Sequence, residues 1–346
     1  MGKKRRSLLS WAVSLALLLV LVRAGGPPSA MGAEKVVFNL EWLAYALHSG
    51  FWAAKEKGLY KESGLDVEIL RGYGSGDTVK RIHVGSAQYG IVDAGTLIVA
   101  RGRGVKAKAI GVLFSRAPYS IMTLEGSGIA KPKDLEGRSV GSPPGNANLV
   151  LLPALAAVNG IDLGKVKVVH MTADAMGSSL FAGAIDSFLD YHTALPVYQE
   201  KAVKQGKRIR PVLYADHGIQ MYSNGLAASD GRIQSNPDQV RRFVGASIRG
   251  VAWAVENPDA AMRLLARVRP EINIETQGQM WRLIIRDHLL SEESRAHGIG
   301  YMTREKMKTT RDTVAKYMKL ESPVEVGDVY TNEFLPGVKP PAGSTK

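Results

Sequence analysis

The chain has 346 residues, a formal net charge of +13 and no cysteine. The lack of cysteine excludes a disulfide framework, cysteine-ligated zinc, thiol catalysis and a lipid-modified N-terminal cysteine. The basic residues are scattered, and the segment through Ala33 carries five of the positive charges and none of the negative ones, so the excess is not the patch of a nucleic-acid binder.

The N-terminus reads as an export signal. Lys3, Lys4, Arg5 and Arg6 precede a nearly unbroken apolar run over residues 8–22, and small residues follow, with cleavage expected after Ala24 or Ala33. At ~1.5 Å per residue the run spans roughly 22 Å, short of the ~30 Å hydrocarbon core, so a cleaved signal over 1–33 fits better than a membrane anchor. A periplasmic, monomeric protein is expected, and export removes nucleic acid as a partner.

From residue 36 onward short apolar strands alternate with helical stretches. Residues 36–40 read as a strand and 48–57 as a helix stopped by Gly58. Residues 67–70, 77–84 and 89–92 then read as strand, helix and strand. A second run follows: strand 139–141, a Pro-Gly turn, helix 149–158, strand 166–170 and a helix ending at Gly183. Residues 212–214 and 220–228 read as strands returning the chain to the first run, and the remainder is helical. Asn236-Pro237 and Asn257-Pro258 mark two helix starts, with Gln239 three residues after the first cap. This rhythm predicts mostly parallel sheets covered on both faces, and the interruption predicts two α/β lobes with a ligand cleft between them. Lobe 1 is expected over 34–124 plus 222–335, lobe 2 over 125–221, a disordered tail over 336–346, and hinges near Leu124 and residues 214–222.

Ligands of open α/β sheets bind beyond the carboxyl ends of the strands. The loops 41–48, 71–77, 93–96, 141–146 and 190–192 are therefore the candidate site. They carry Trp42 and His48, Tyr73 and Ser75, Asp93, Ser142 and Asn146, and Asp190, Tyr191 and His192; Tyr119, Tyr222 and Asn224 join them from strand ends. The aromatics offer flat stacking surfaces, and the glycine-rich turns 71–77 and 141–146 lead into helix N-termini that suit a carboxylate, sulfonate or phosphate. Each also has a structural reading: Ser75, Asp77 and Asp93 as helix caps, His48 as an orienting group, the tyrosines as packing. No close carboxylate–histidine spacing supports a metal, no Gly-x-Ser-x-Gly elbow supports a triad, and no cofactor is expected. The densest basic group, Lys201, Lys204, Lys207, Arg208 and Arg210, reads as a solvated helix end.

The segments Leu40-Glu41-Trp42, Gly58-Leu59-Tyr60, Pro132-Lys133-Asp134-Leu135, Asn236-Pro237 and Tyr330-Thr331-Asn332-Glu333 recur in consistent order with a known superfamily. The chain resembles the nitrate, taurine and alkanesulfonate binding proteins and the thiamine-pyrimidine-precursor binding proteins, which share a fold with the fungal hydroxymethylpyrimidine phosphate synthases. The resemblance implies a type II periplasmic-binding-protein fold that captures a small molecule and delivers it to an ABC permease in the inner membrane. It also implies that the synthase chemistry is missing. The positions matching that enzyme's lysine and histidine hold Val92 and Thr96, and its cysteine region, near 219–224, contains no cysteine. His192 stands where pyrimidine-binding relatives carry a glutamate. An aminopyrimidine stacked on Trp42 and a small organic anion both remain open as ligands, with a non-transport sensing module as a third reading.

Overall fold

The computed structural model describes residues 32–318 and 320–342. Residues 1–31 of the expected signal peptide and 343–346 of the expected tail lie outside the described residues. Ten strands form two five-stranded sheets. The first contains β1 (Glu34–Asn39), β2 (Leu65–Leu70), β3 (Tyr89–Asp93), β4 (Ala107–Val112) and β10 (Asn224–Ser229). The second contains β5 (Tyr119–Leu124), β6 (Ser139–Ser142), β7 (Lys167–His170), β8 (Ser187–Tyr191) and β9 (Ile209–Leu213).

The orders are β2-β1-β3-β10-β4 and β7-β6-β8-β5-β9. In each sheet the fourth strand is the one that reaches it across the molecule, and it runs antiparallel to both neighbours. Each sheet is therefore mostly parallel, as expected, with one antiparallel strand that makes it mixed. The exchange also moves a boundary: β5 begins the second sheet, although it falls inside the range assigned to lobe 1. The chain crosses once between β4 and β5 and again between β9 and β10, so Leu124 ends a second-sheet strand and is not a crossing point.

Burial follows position in the sheet. On the edge strand β2, Leu65 and Val67 point inward while Asp66 and Glu68 face water, whereas every residue of the central strand β3 is buried. A twenty-residue helix, Pro237–Glu256, is fixed to the first sheet by stacked rings: Phe243 lies 3.9 Å from Tyr89 and 5.8 Å from Tyr60, centroid to centroid. The same helix meets the Ser49–Glu56 helix glycine to glycine. A Cβ on Gly250 would lie 2.3 Å from the Gly50 carbonyl oxygen, so the backbones touch where side chains would ordinarily stand.

Two local expectations differ. Asn236 makes no side-chain cap, because the Asp230–Ser235 helix runs directly into the long helix and Ser235 and Arg232 occupy the Asn236 side-chain oxygen. Gln239 instead accepts from the Tyr89 hydroxyl. In the stretch expected to be a disordered tail, the Val338 carbonyl accepts a 2.8 Å hydrogen bond from Ile299 N–H.

Candidate functional site

The loops at the strand ends of the two sheets enclose a cavity of about 580 Å³. After β1 come Glu41, Trp42 and Tyr45; after β2, Gly74 and Ser75. The second sheet supplies Asn146 after β6 and Asp190 and Tyr191 at the end of β8. The helices Ala173–Phe181 and Leu195–Val203 add Phe181 and Tyr198, and the Ile274–Ile284 helix closes one side with Thr276, Gln277 and Met280. The lobes touch at the rim. Gly76 N–H donates to the Gly145 carbonyl at 3.2 Å, and the Thr276 hydroxyl donates to the Glu200 carboxylate at 2.7 Å.

The floor is a buried polar network. Glu41, 4% exposed, accepts from Asn224 Nδ2 at 2.8 Å, from His48 Nε2 at 2.9 Å and from the Tyr45 hydroxyl at 3.2 Å. His48 Nδ1 accepts from Tyr45 N–H, which places the ring proton on Nε2, toward Glu41. Asn224 accepts from the Tyr191 hydroxyl at 2.6 Å. Deeper still, Asp93 caps the Ala94–Gly102 helix through Thr96 N–H and accepts from the Ser223 and Tyr119 hydroxyls. Burial pushes the Asp93 carboxyl up, and those hydrogen bonds pull it part of the way back.

Asp190 is the other buried carboxylate at the cavity wall, 7% exposed. It accepts from the Tyr198 hydroxyl and from Tyr191 N–H, both at 2.7 Å. Burial raises its pKa to about 6 against the pull of those two donors. Among the described residues no lysine or arginine pairs with Glu41 or Asp190.

The predicted residues thus divide three ways. Trp42, Ser75, Asn146, Asp190 and Tyr191 line the cavity. His48, Asp93, Tyr119 and Asn224 lie in the network beneath it. The other four are turned elsewhere. Tyr73 is 56% exposed and carries the Arg71 guanidinium 4.5 Å over its ring. Ser142 is buried and donates to the next carbonyl, at Pro143. Tyr222 accepts from Thr303 N–H on the outer helical layer. His192 packs against His288, and burial lowers its pKa to about 4, so it offers the cavity no positive charge.

The helix N-termini expected to receive an anion are each engaged at one amide by the protein. Gly76 N–H is taken by Gly145, and Asn148 N–H by the Asn146 side chain, which caps its helix at 2.8 Å. Glu41, Tyr45, Tyr198 and the Ile274–Ile284 residues are wall groups the sequence reading missed. Glu41 lay inside a named loop, beside Trp42, and was legible as a carboxylate at a strand end. Tyr198 and Gln277 are single helical residues whose inward direction depends on packing between distant segments.

A family model described as NMT1/THI5 like matches residues 46–261. The riboflavin-binding protein RibY of Chloroflexus aurantiacus is 24% identical over 323 residues, which is 91% of this chain and 90% of that protein. A 4-amino-5-hydroxymethyl-2-methylpyrimidine phosphate synthase of Legionella pneumophila is 22% identical over 309 residues, 88% of this chain and 93% of the enzyme. Among solved structures, the alkanesulfonate-binding protein SsuA from Xanthomonas axonopodis pv. citri, bound to MOPS, superposes with a TM-score of 0.68 at 13% identity, covering 86% of this chain and 98% of that one. The architecture is the two-lobed periplasmic-binding-protein fold.

Proposed function

The chain belongs to the NMT1/THI5-like family, and on that premise we propose that it is the exported solute-binding component of an ABC importer, taking up a planar organic solute rich in N–H or O–H donors. Its partner is a permease in the inner membrane. The observation that carries the reading is the pair of buried carboxylates, Glu41 and Asp190, set among Trp42, Tyr45 and Tyr198 in one cavity. Carboxylate oxygens have lone pairs beyond the donors they already accept, so Glu41 and Asp190 favour N–H and O–H donors on the part of the solute beside them. The cations of this cavity, Lys201, Lys204 and Arg269, pair with neither of them. Aromatic walls favour a flat ring between them. This reading selects the heterocyclic side of the family over the sulfonates and nitrate.

Binding without turnover is supported by chemistry already in the chain. A valine at position 92 forms no Schiff base, and Thr96 spends its hydroxyl on Asp93.

A thermal-shift screen at pH 8 tests the proposal with riboflavin, aminopyrimidines, alkanesulfonates and nitrate. A heterocycle at about 100 times its dissociation constant should stabilise the protein by about 2.7 kcal/mol. Stabilisation by an alkanesulfonate or nitrate, with none from any heterocycle, would reverse the assignment.

A further inference from the structure

Two histidines outside the cavity sit on the crossover between the lobes. The first crossing is the segment 113–118, between β4 and β5. His288 stands in a π-helical turn, Ile285–Leu289, that extends the Ile274–Ile284 helix, and it grips this crossover at three points. Its carbonyl accepts from Ser115 N–H and from the Ser115 hydroxyl, each at 2.8 Å, and its Nδ1 bonds the Arg116 carbonyl at 2.7 Å. His192, arriving at the end of β8 in the second sheet, donates its backbone N–H to the Pro118 carbonyl at 2.8 Å. The two rings meet edge to face, 4.8 Å between centroids.

A carbonyl oxygen only accepts, so His288 Nδ1 carries the hydrogen and its Nε2 presents a bare lone pair. That Nε2 is buried without a partner, on a residue 1% exposed; His192 Nδ1 is likewise buried and unpartnered. A further proton on either ring creates a cation beside a second imidazole. The charged groups facing the pair are Asp287, Arg116 and Asp216. Asp287 is held by Arg286 at 2.7 and 2.8 Å, and Asp216 lies 3.4 Å from Arg116, so both carboxylates are already engaged.

We propose that His192 and His288 form a proton-sensitive catch on the interlobe hinge: neutral, they hold the closed arrangement, and protonation of either opens the cleft. The idea rests on the reading that the lobes close on a solute, and it adds a control that acts away from the solute itself. Burial holds His192 at about 4 and His288 at about 3 in the closed form. Rings hydrated by opening return to their ordinary value near 6.5. Protons are then taken up by the open form alone from about pH 6.5 downward, and by pH 5.5 each ring shifts the equilibrium toward opening by up to about tenfold. Asp190 acts in the opposite sense, because a carboxyl raised to about 6 in the closed form favours closure as pH falls.

The chain has no cysteine, so two introduced ones are unique labelling points. Spin labels at Lys80→Cys and Lys165→Cys, one exposed site in each lobe, report the interlobe distance in the full protein. An Asp190→Asn background removes the opposing titration. Between pH 8 and 5.5 the distance distribution should lengthen, with the imidazole ¹⁵N shifts of both histidines moving in step. In the His192→Gln/His288→Asn variant, where asparagine keeps the donor to Arg116, the pH 8 distribution should persist throughout. An unchanged distribution in the histidine-containing protein overturns the catch, as does an equal response in the double variant. If that variant does not fold, ¹⁵N shifts that move without the distance overturn it as well. The solute screen at pH 8, where both rings are neutral, reads the binding role separately, so a failed catch leaves that role standing.

Discussion

At the scale of single residues, the cavity couples a stacking surface to a pair of acceptors. Trp42 lines the wall directly after β1. Stacking of a heterocyclic base on an aromatic ring is worth roughly 1–3 kcal/mol by alanine substitution. Trp42→Ala should therefore weaken solute binding about 5- to 150-fold by calorimetry, and Trp42→Phe should restore part of the loss. Asp190 has a stability signature as well as a binding one. Its carboxyl is raised to about 6 in the folded chain, so its contribution is fully present at low pH and is lost as pH rises through about 6. Asp190→Asn should remove that loss, so the variant's denaturant midpoint should rise relative to the parent's on going from pH 5 to pH 8, while a donor-bearing solute binds more weakly at pH 8. A variant that binds such a solute as the parent does would take Asp190 out of the site. Trp42 and Asp190 were both legible, because each follows a strand at its carboxyl end. His192 was not, since its neighbour His288 comes from a segment 96 positions away.

At the scale of elements, the long Pro237–Glu256 helix gives a paired test of packing. Gly250 leaves no room for a methyl group, whereas a Cβ on Gly245 would meet nothing within 4 Å. Gly250→Ala must push the Ser49–Glu56 helix away and should cost about 1–3 kcal/mol. Gly245→Ala should stabilise by roughly 0.5–1 kcal/mol, since alanine loses less backbone entropy in a helix. Urea midpoints moving in opposite directions at constant slope would establish both. The apolar spacing of this helix, from Val240 through Val255, was readable from sequence, as were β1, β2 and β3. β4 and β5 were not. Both are buried almost throughout and show no alternation, but so is β3, which its place between two helical stretches made readable; β4 and β5 follow each other with no helix between them. Missing them also hid the exchange of strands between the sheets, and with it the antiparallel member in each.

At the scale of the whole molecule, two crossings join the lobes and a cavity lies between them, an arrangement suited to opening and shutting. Scattering should show a smaller radius of gyration when solute is added. Gly74 has φ +113°, and a Cβ there would lie 2.7 Å from the Gly145 carbonyl oxygen in the opposite lobe. Gly74→Ala should hold the rim apart, so that solute binds more weakly and compaction is lost. Full compaction in that variant would show that the lobes shut without this approach. The two-lobed plan was evident from the order of the segments, because an interrupted α/β run predicts it. The place where the lobes touch was not, since it depends on two glycine loops about 70 positions apart meeting in space.

That rim contact, Gly76 N–H to the Gly145 carbonyl, is made entirely of main chain. Any residue can supply an amide and a carbonyl, so the contact makes no demand on side chains beyond keeping the approach clear. Trp42 or Asp190 can therefore be exchanged to suit a new solute without disturbing this contact, whereas the other rim contact, Thr276 to Glu200, is made by side chains of the cavity wall and constrains them. In a lineage descended from this chain, what is recognised and how the glycine side of the rim meets can diverge independently, provided the two small loops stay small.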